Sequence, residues 1–222
     1  MKSLVGGGSV GDQVYRNIRN DIIFGRLKPG ERLRLEGLRK HYNASVTTLR
    51  EILNRLTSDG FVVAEGQRGF QVTSVSDEDL EEIADLRVIL ESHALKQSFE
   101  SGDLDWEAQV VAAYHKLQVL EKRMMGGDAS VREDWKRSDW EFHRALIRGC
   151  GSRQLLETHA AIFDKYLRYQ MLTLTFRGEV AAAEHKGLLD AAMVRDSALA
   201  VKILKQHIQG GVEHSRSTRA AV

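Results

Sequence analysis

The chain has 222 residues with 42% hydrophobic content, enough for one large or two small domains with a proper core. Lys and Arg total 32 against 31 Asp and Glu, so the net charge is +1 and affinity for nucleic acid must come from a local cluster rather than a global field. A single cysteine, Cys150, excludes an internal disulfide framework and fits a reducing cytoplasm, and no apolar run has the pattern of a membrane span or a signal peptide.

Residues 1–10, with Gly6, Gly7 and Gly8, read as a flexible arm. A helix is expected over 12–24, with Val14, Ile18 and Ile22 on one face, stopped by Gly25 and followed by a turn at Pro29 and Gly30. Residues 35–42 form a short helix with Leu38 and Tyr42 inward, and Asn43 and Ala44 make a tight turn. The next helix, capped by Ser45 and stopped by Gly60, carries Leu49, Ile52, Leu53 and Leu56 at i, i+3, i+4 and i+7. Its other side and its first turn carry Thr47, Thr48, Arg50, Asn54 and Arg55, the groups that meet phosphates and base edges. Alone, such a helix is far more often a core helix with a solvated charged face. Its context is what points to DNA: two β-rich runs over 61–72 surround a Glu-Gly-Gln-Arg-Gly tip, a hairpin signal. Helix, turn, helix and hairpin make a winged helix over 11–74, with Arg68 at the wing tip. Its cations include Arg16, Arg19, Arg26, Lys28, Arg32, Arg34, Arg39, Lys40, Arg50, Arg55 and Arg68, whereas residues 77–91 are acidic.

From residue 77 onward the pattern is helical. Helices are expected at 77–101, 105–125, 129–149, 152–176, 179–194 and 196–213, with glycines, Gly210 and Gly211 among them, mostly at helix ends and a frayed tail over 214–222. The expected fold class is therefore mainly α: a winged helix-turn-helix followed by an antiparallel helix bundle over 75–213, an architecture that places ligand sites between facing helices. Asp139 and His143 stand at i and i+4 on one helix face, a spacing that can chelate a metal. His185 and His207 sit beside apolar residues that face the interior. Three imidazoles and one carboxylate suit Zn, Ni, Co, Fe or Mn. Packed, hydrogen-bonded histidines and a plain Asp139–His143 ion pair are the alternatives.

Residues 11–74 resemble the winged-helix domain of GntR-type bacterial regulators, through Leu27-Lys28-Pro29-Gly30-Glu31-Arg32-Leu33, Thr47-Thr48-Leu49-Arg50-Glu51-Ile52-Leu53-Asn54-Arg55-Leu56 and Gly66-Gln67-Arg68-Gly69-Phe70-Gln71-Val72. The resemblance implies that Arg32 reads or supports an operator, that Arg50 contacts DNA, and that Gly66 approaches the minor groove. Val46 departs from the pattern, standing where many members carry Arg, so a relative's operator sequence does not transfer. Residues 77–213 resemble the FCD effector domain of the FadR-like branch, through Asp85-Leu86-Arg87-Val88-Ile89-Leu90-Glu91, Asp139-Trp140-Glu141-Phe142-His143-Arg144-Ala145-Leu146, Glu184-His185-Lys186-Gly187-Leu188-Leu189-Asp190-Ala191 and Gln206-His207. That resemblance implies a divalent metal, zinc foremost, on Asp139, His143, His185 and His207, and a small carboxylate effector filling open coordination positions. Arg87 would clamp the acid, or else pair with Asp85 or Glu91; Arg168 and Tyr169 are further pocket candidates. His93, His115 and His159 match no ligand motif.

The function expected is a ligand-responsive regulator. A homodimer would present two recognition helices to a pseudo-palindromic operator and repress a catabolic operon until the acid binds. A metal-dependent hydrolase is the rival, since an Asp/His₃ site can activate water, but Glu141 and Glu184 are the sole nearby bases and the winged helix has no role there. A purely structural metal is the third reading.

Overall fold

The computed structural model describes residues 9–173 and 176–220, and the chain divides into two compact units, one ending at Ser76 and the other starting at Asp77. Of the arm expected over 1–10, residues 1–8 lie outside the described residues, while Ser9 and Val10 belong to the first helix. Helix α1 spans Val10–Ile23 and starts with a capping box: the Ser9 hydroxyl accepts from the Asp12 amide at 3.2 Å, and the Asp12 carboxylate accepts from the Ser9 amide at 3.1 Å.

Strand β1 (Arg32–Leu33) leads into α2 (Leu35–Tyr42), and Asn43 turns the chain in the left-handed region, φ 48°, before α3 (Val46–Ser58). Asn tolerates that conformation better than most residues because its short side chain can hydrogen-bond locally. The Ser45 hydroxyl caps α3 by accepting from the Thr48 amide at 3.1 Å. Strands β2 (Val62–Ala64) and β3 (Phe70–Val72) flank a 3₁₀ turn at Gly66–Arg68, and the antiparallel sheet has the order β1-β3-β2. The wing turn needs positive φ at Gly66 and Gly69, 54° and 89°, which glycine adopts without a Cβ clash. Ile18 and Ile22 from α1, the four apolar residues of α3, and Val72 are buried together as the core of this unit. Tyr15 ties α1 to the end of α3 by donating to Asp59 at 2.5 Å.

The second unit is helical: α4 (Asp77–Ser101), α5 (Leu104–Met125), α6 (Arg132–Ile147), α7 (Arg153–Thr173), α8 (Glu179–Met193) and α9 (Ser197–Ala220), with 3₁₀ turns at Ala129–Val131 and Arg148–Cys150 bounding α6. Helix α4 packs against α6, α7 and α9, while α5 packs against α6 and α8. Three expectations are corrected. The helix expected over 152–176 ends at Thr173, and of the remainder Leu174 and Thr175 lie outside the described residues. The tail expected to fray from residue 214 continues α9 to Ala220, because Arg216 pairs with Glu81 and Arg219 pairs with Asp77 at the start of α4. Gly210 and Gly211 do not end a helix; they lie inside α9, where its backbone comes close to side chains of its neighbours. Among the described residues, no helix is long and apolar enough to cross a membrane.

Candidate metal centre and nucleic-acid interface

In the winged helix, burial of Leu49, Ile52, Leu53 and Leu56 turns the opposite side of α3 outward. Arg50 is exposed there and makes no hydrogen bond or ion pair among the described residues. Thr47 is exposed beside it; the Thr48 hydroxyl is already engaged with Ser45 Oγ at 2.9 Å. Arg32 on β1 and Arg68 on the wing turn are exposed and likewise uncommitted, and Gly66 has open space where a Cβ would stand. Arg55 behaves differently. Its guanidinium lies 3.8 Å from the centroid of the Tyr15 ring and 3.4 Å from Asp12, so it is turned toward α1. That placement gives Arg55 a part in packing the helices, a role its spacing on α3 did not reveal.

The helical unit brings together residues distant in sequence. Asp139 and His143 project from α6, His185 from α8 and His207 from α9; all four are buried, and one ligand atom from each lies within 4.8 Å of the others. His185 Nε2 is 3.0 Å and His143 Nε2 is 3.9 Å from Asp139 Oδ1. These three atoms have no hydrogen-bond partner that satisfies normal geometry, an expensive arrangement for buried polar atoms unless something else binds them. The other ring nitrogen of each histidine is held by a glutamate. His143 Nδ1 meets Glu91 Oε2 at 2.9 Å, His185 Nδ1 meets Glu121 Oε1 at 2.6 Å, and His207 Nδ1 meets Glu184 Oε2 at 2.8 Å. With each Nδ1 held by a carboxylate, each Nε2 is directed at the common centre, the arrangement that orients histidine ligands in metalloproteins.

The electrostatics of the centre divide its histidines. Burial lowers His207 well below the usual imidazole value and also lowers His143, so both are neutral and offer lone pairs. Burial would lower His185 too, but hydrogen bonds to Asp139 and Glu121 raise it to about 9. The proton it then carries on Nε2 stands where a metal ion would bind. Burial alone would raise Glu91, yet Arg87, His143 and His159 together hold it well below the carboxylate range. His159, which matched no motif, donates from Nε2 to Glu91 Oε1 at 2.9 Å and so supports the ligand's support.

Beside the centre is a small cavity of about 20 Å³, room for about one water. Arg87, Lys136, Gln170, Arg177 and Gly211 line it together with Asp139, His185 and His207. Arg87 is buried, with Nε bonded to Glu91 and Nη2 without a partner. Both readings of Arg87 therefore meet in one side chain: it pairs with Glu91 and keeps a donor for a ligand. Lys136 bridges Asp139 Oδ2 at 3.3 Å and Gln170 Oε1 at 2.8 Å, and Arg177 donates to Glu184 and to the His207 carbonyl. Arg168 and Tyr169 do not line the cavity. Their neighbours Tyr166 and Gln170, one helical turn apart, occupy that face, while Tyr169 donates to Asp79 at 2.5 Å. Glu121, Lys136 and Arg177 escaped the sequence reading, which named Glu91 as a possible partner of Arg87 and Glu184 as a nearby base but not as the groups that hold His143 and His207.

A winged helix with an outward basic helix face, joined to a helical bundle with a buried Asp/His₃ cluster, is the architecture of a DNA-binding regulator with a second, helical domain. Family models agree: residues 10–72 match "Bacterial regulatory proteins, gntR family" and residues 82–210 match "FCD domain". The chain belongs to the GntR family of bacterial transcriptional regulators, and it is not an enzyme. It is 34% identical over 203 residues to the HTH-type regulator BphR of Paraburkholderia xenovorans strain LB400, covering 90% of this chain and 83% of that protein. It is also 34% identical over 204 residues to the HTH-type transcriptional repressor GlaR of Escherichia coli K12, covering 87% and 90%. The fold matches the E. coli McbR/YncC structure with a TM-score of 0.78 at 21% identity, over 95% of this chain and 98% of the other. It also matches the metal-free FCD domain of TM0439 with a TM-score of 0.55 at 20% identity, over 67% and 99%.

Proposed function

We propose that this regulator is a repressor whose helical domain holds a divalent transition metal, zinc foremost, and answers a small carboxylate by releasing the operator of a catabolic operon. The observation that carries the reading is the convergence of Asp139 Oδ1, His143 Nε2 and His185 Nε2, buried and unpartnered, with a glutamate fixing each of the three histidines. Asp139, His143, His185 and His207 would hold the ion; once bound, it supplies a Lewis acid able to accept an anionic oxygen.

The chain's own groups favour an acid beside it. Arg87 Nη2 is a buried donor in need of an acceptor, and Lys136 and Arg177 add positive charge at the same cavity. A carboxylate is larger than the present cavity, so its binding must displace water and repack Gln170, Tyr166 and Arg177. Tyr166 and Gln170 lie on α7 and Arg177 lies just before α8, which makes the helix packing itself the responsive element. Arg32, Arg50, Arg68, Thr47, Thr48 and Gly66 are the DNA-facing set in this reading. The repressor assignment draws support from the description of GlaR as a repressor.

Native mass spectrometry with elemental analysis of the purified full chain tests the proposal. One metal ion per chain is expected, lost in His143→Ala, His185→Ala and His207→Ala combined, with a small acid raising the complex mass only when metal is present. Full metal occupancy in the triple variant would exclude this site, and acid binding unaffected by metal removal would reduce the ion to a structural role.

A further inference from the structure

Lys136 is a buried cation in contact with a proposed metal ligand, a placement that metal binding alone does not call for. Its ammonium stands 3.3 Å from Asp139 Oδ2, donates to Gln170 Oε1 at 2.8 Å and lies 4.3 Å from the centroid of the Trp135 ring. The Gln170 amide cannot turn over. Its Nε2 donates to Tyr166 Oη at 3.0 Å, and that hydroxyl donates its one proton to the Ile208 carbonyl at 3.2 Å. Gln170 therefore presents an acceptor to Lys136 and fixes the ammonium beside the one carboxylate of the ligand set. The third N–H of Lys136 has no acceptor among the described residues, and the side chain lines the cavity.

The charges around the centre pair off with one exception. Arg87 is matched by Glu91 and Arg177 by Glu184, neither glutamate being among the four clustered side chains. Lys136 is matched by Asp139 alone. Glu121, on His185, meets no arginine or lysine among the described residues. With imidazoles counted as neutral, the form in which they bind a metal, these carboxylates outnumber the cations by one. A divalent ion turns that into an excess of one positive charge, because Asp139 cannot neutralise the ion and Lys136 at once. An unmatched buried charge is costly.

We infer that Lys136 makes this a site for a metal ion together with one singly charged anionic group, its ammonium being the charge that couples the two. The inference rests on the proposed metal centre and deepens it, by naming the residue that ties acid binding to the ion. Arg87 Nη2 and the third N–H of Lys136 are the donors such a group would meet. The coupling is reciprocal: the anion tightens the ion by the same factor as the ion tightens the anion.

Zinc affinity of the full chain tests it, read by competition with a chromophoric chelator at constant ionic strength, with and without acetate as the probe. In the wild type, acetate should tighten zinc by about 10-fold or more. Lys136→Met removes the charge and keeps a long apolar stem. Without acetate it should bind zinc about 10-fold or more tighter than wild type, and acetate should add little. Lys136→Arg keeps the charge and should retain the acetate dependence. A damaged fold lowers metal affinity, so misfolding cannot mimic the gain in Lys136→Met. Should that variant not fold, Lys136→Gln, neutral but still a donor, takes its place. A neutral variant that binds zinc no tighter than wild type, a wild type indifferent to acetate, or an equal acetate response in the two would overturn the inference alone. Zinc held by neither protein would remove the proposed metal centre and the inference with it.

Discussion

Gly211 reverses an ordinary rule of helix stability. Replacing an exposed mid-helix glycine by alanine usually stabilises by about 1 kcal/mol. Here an added Cβ would stand 2.4 Å from Tyr166 Oη and 2.9 Å from Gln170 Nε2, both on buried side chains of the cavity. The Tyr166 hydroxyl is also held by the Ile208 carbonyl at 3.2 Å, so it has no easy retreat. Gly211→Ala is therefore expected to destabilise the chain by about 1–3 kcal/mol, the usual cost of overpacking. A thermal melt decides it, since a raised midpoint would show that Tyr166 moves freely. Arg50 is the complementary case on the surface: it is exposed and uncommitted while the leucine stripe beneath it carries the fold. Arg50→Ala should leave the circular dichroism spectrum unchanged and cost about 1–3 kcal/mol of operator affinity if it reads a base edge. Gel-shift titration at fixed salt is the measurement, and equal affinity would remove Arg50 from the interface. Arg55, bound up with Tyr15 and Asp12, should give a smaller loss of DNA affinity and a larger loss of stability than Arg50.

At the level of elements, the centre is assembled by helices that cannot reach it alone. Helices α6, α8 and α9 supply the four clustered side chains proposed to hold the ion, and α4, α5 and α8 supply the glutamates that orient the histidines. Chelation should thus lower the melting temperature, because an ion that binds only the folded form stabilises it by mass action. Glu121→Gln keeps the side-chain shape but removes the negative charge on His185 Nδ1, and should weaken metal affinity by about 10–100-fold. Competition with a chromophoric chelator would expose the error if the two proteins bound equally. The Asp139 and His143 pair was legible in the sequence because helix geometry puts both on one face whatever the rest of the chain does, whereas His185 and His207 joined them as a set only through the resemblance to FCD domains. The hold of Glu91 on His143 and of Glu121 on His185 was not legible, since the glutamates lie 52 and 64 residues from those histidines. The same limit explains the tail: His214 to Arg219 reads as polar and frayed until Asp77 and Glu81 appear beside it. Gly210 and Gly211 misled in the opposite way, because a glycine that ends a helix and a glycine that admits a neighbour have the same letter.

For the whole molecule, the groups proposed to read the acid lie in one compact unit and those proposed to read DNA in the other, joined where β3 ends at Val72 and α4 begins at Asp77. Any response must be carried from one unit to the other, and its size equals the difference in acid affinity between the DNA-bound and released states. Arg87 is the residue at which response and fold can be separated, provided the substitution respects Glu91. Arg87→Ala would strand a buried carboxylate beside His143, a defect of about 3–5 kcal/mol, so loss of response in that variant would be ambiguous. Arg87→Lys keeps a cation for Glu91 but removes the planar fork that leaves Nη2 free. The lysine variant should fold, retain metal and bind the operator as wild type does, while its affinity for the acid falls about 10-fold or more through loss of a charge-assisted hydrogen bond. Operator release should then need a correspondingly higher acid concentration. Titrating candidate acids against both proteins, with acid affinity and operator release read in parallel, provides the check. If Arg87→Lys released the operator at wild-type acid concentrations, Arg87 would serve Glu91 alone, and Lys136 or Arg177 would be the cation that recognises the ligand.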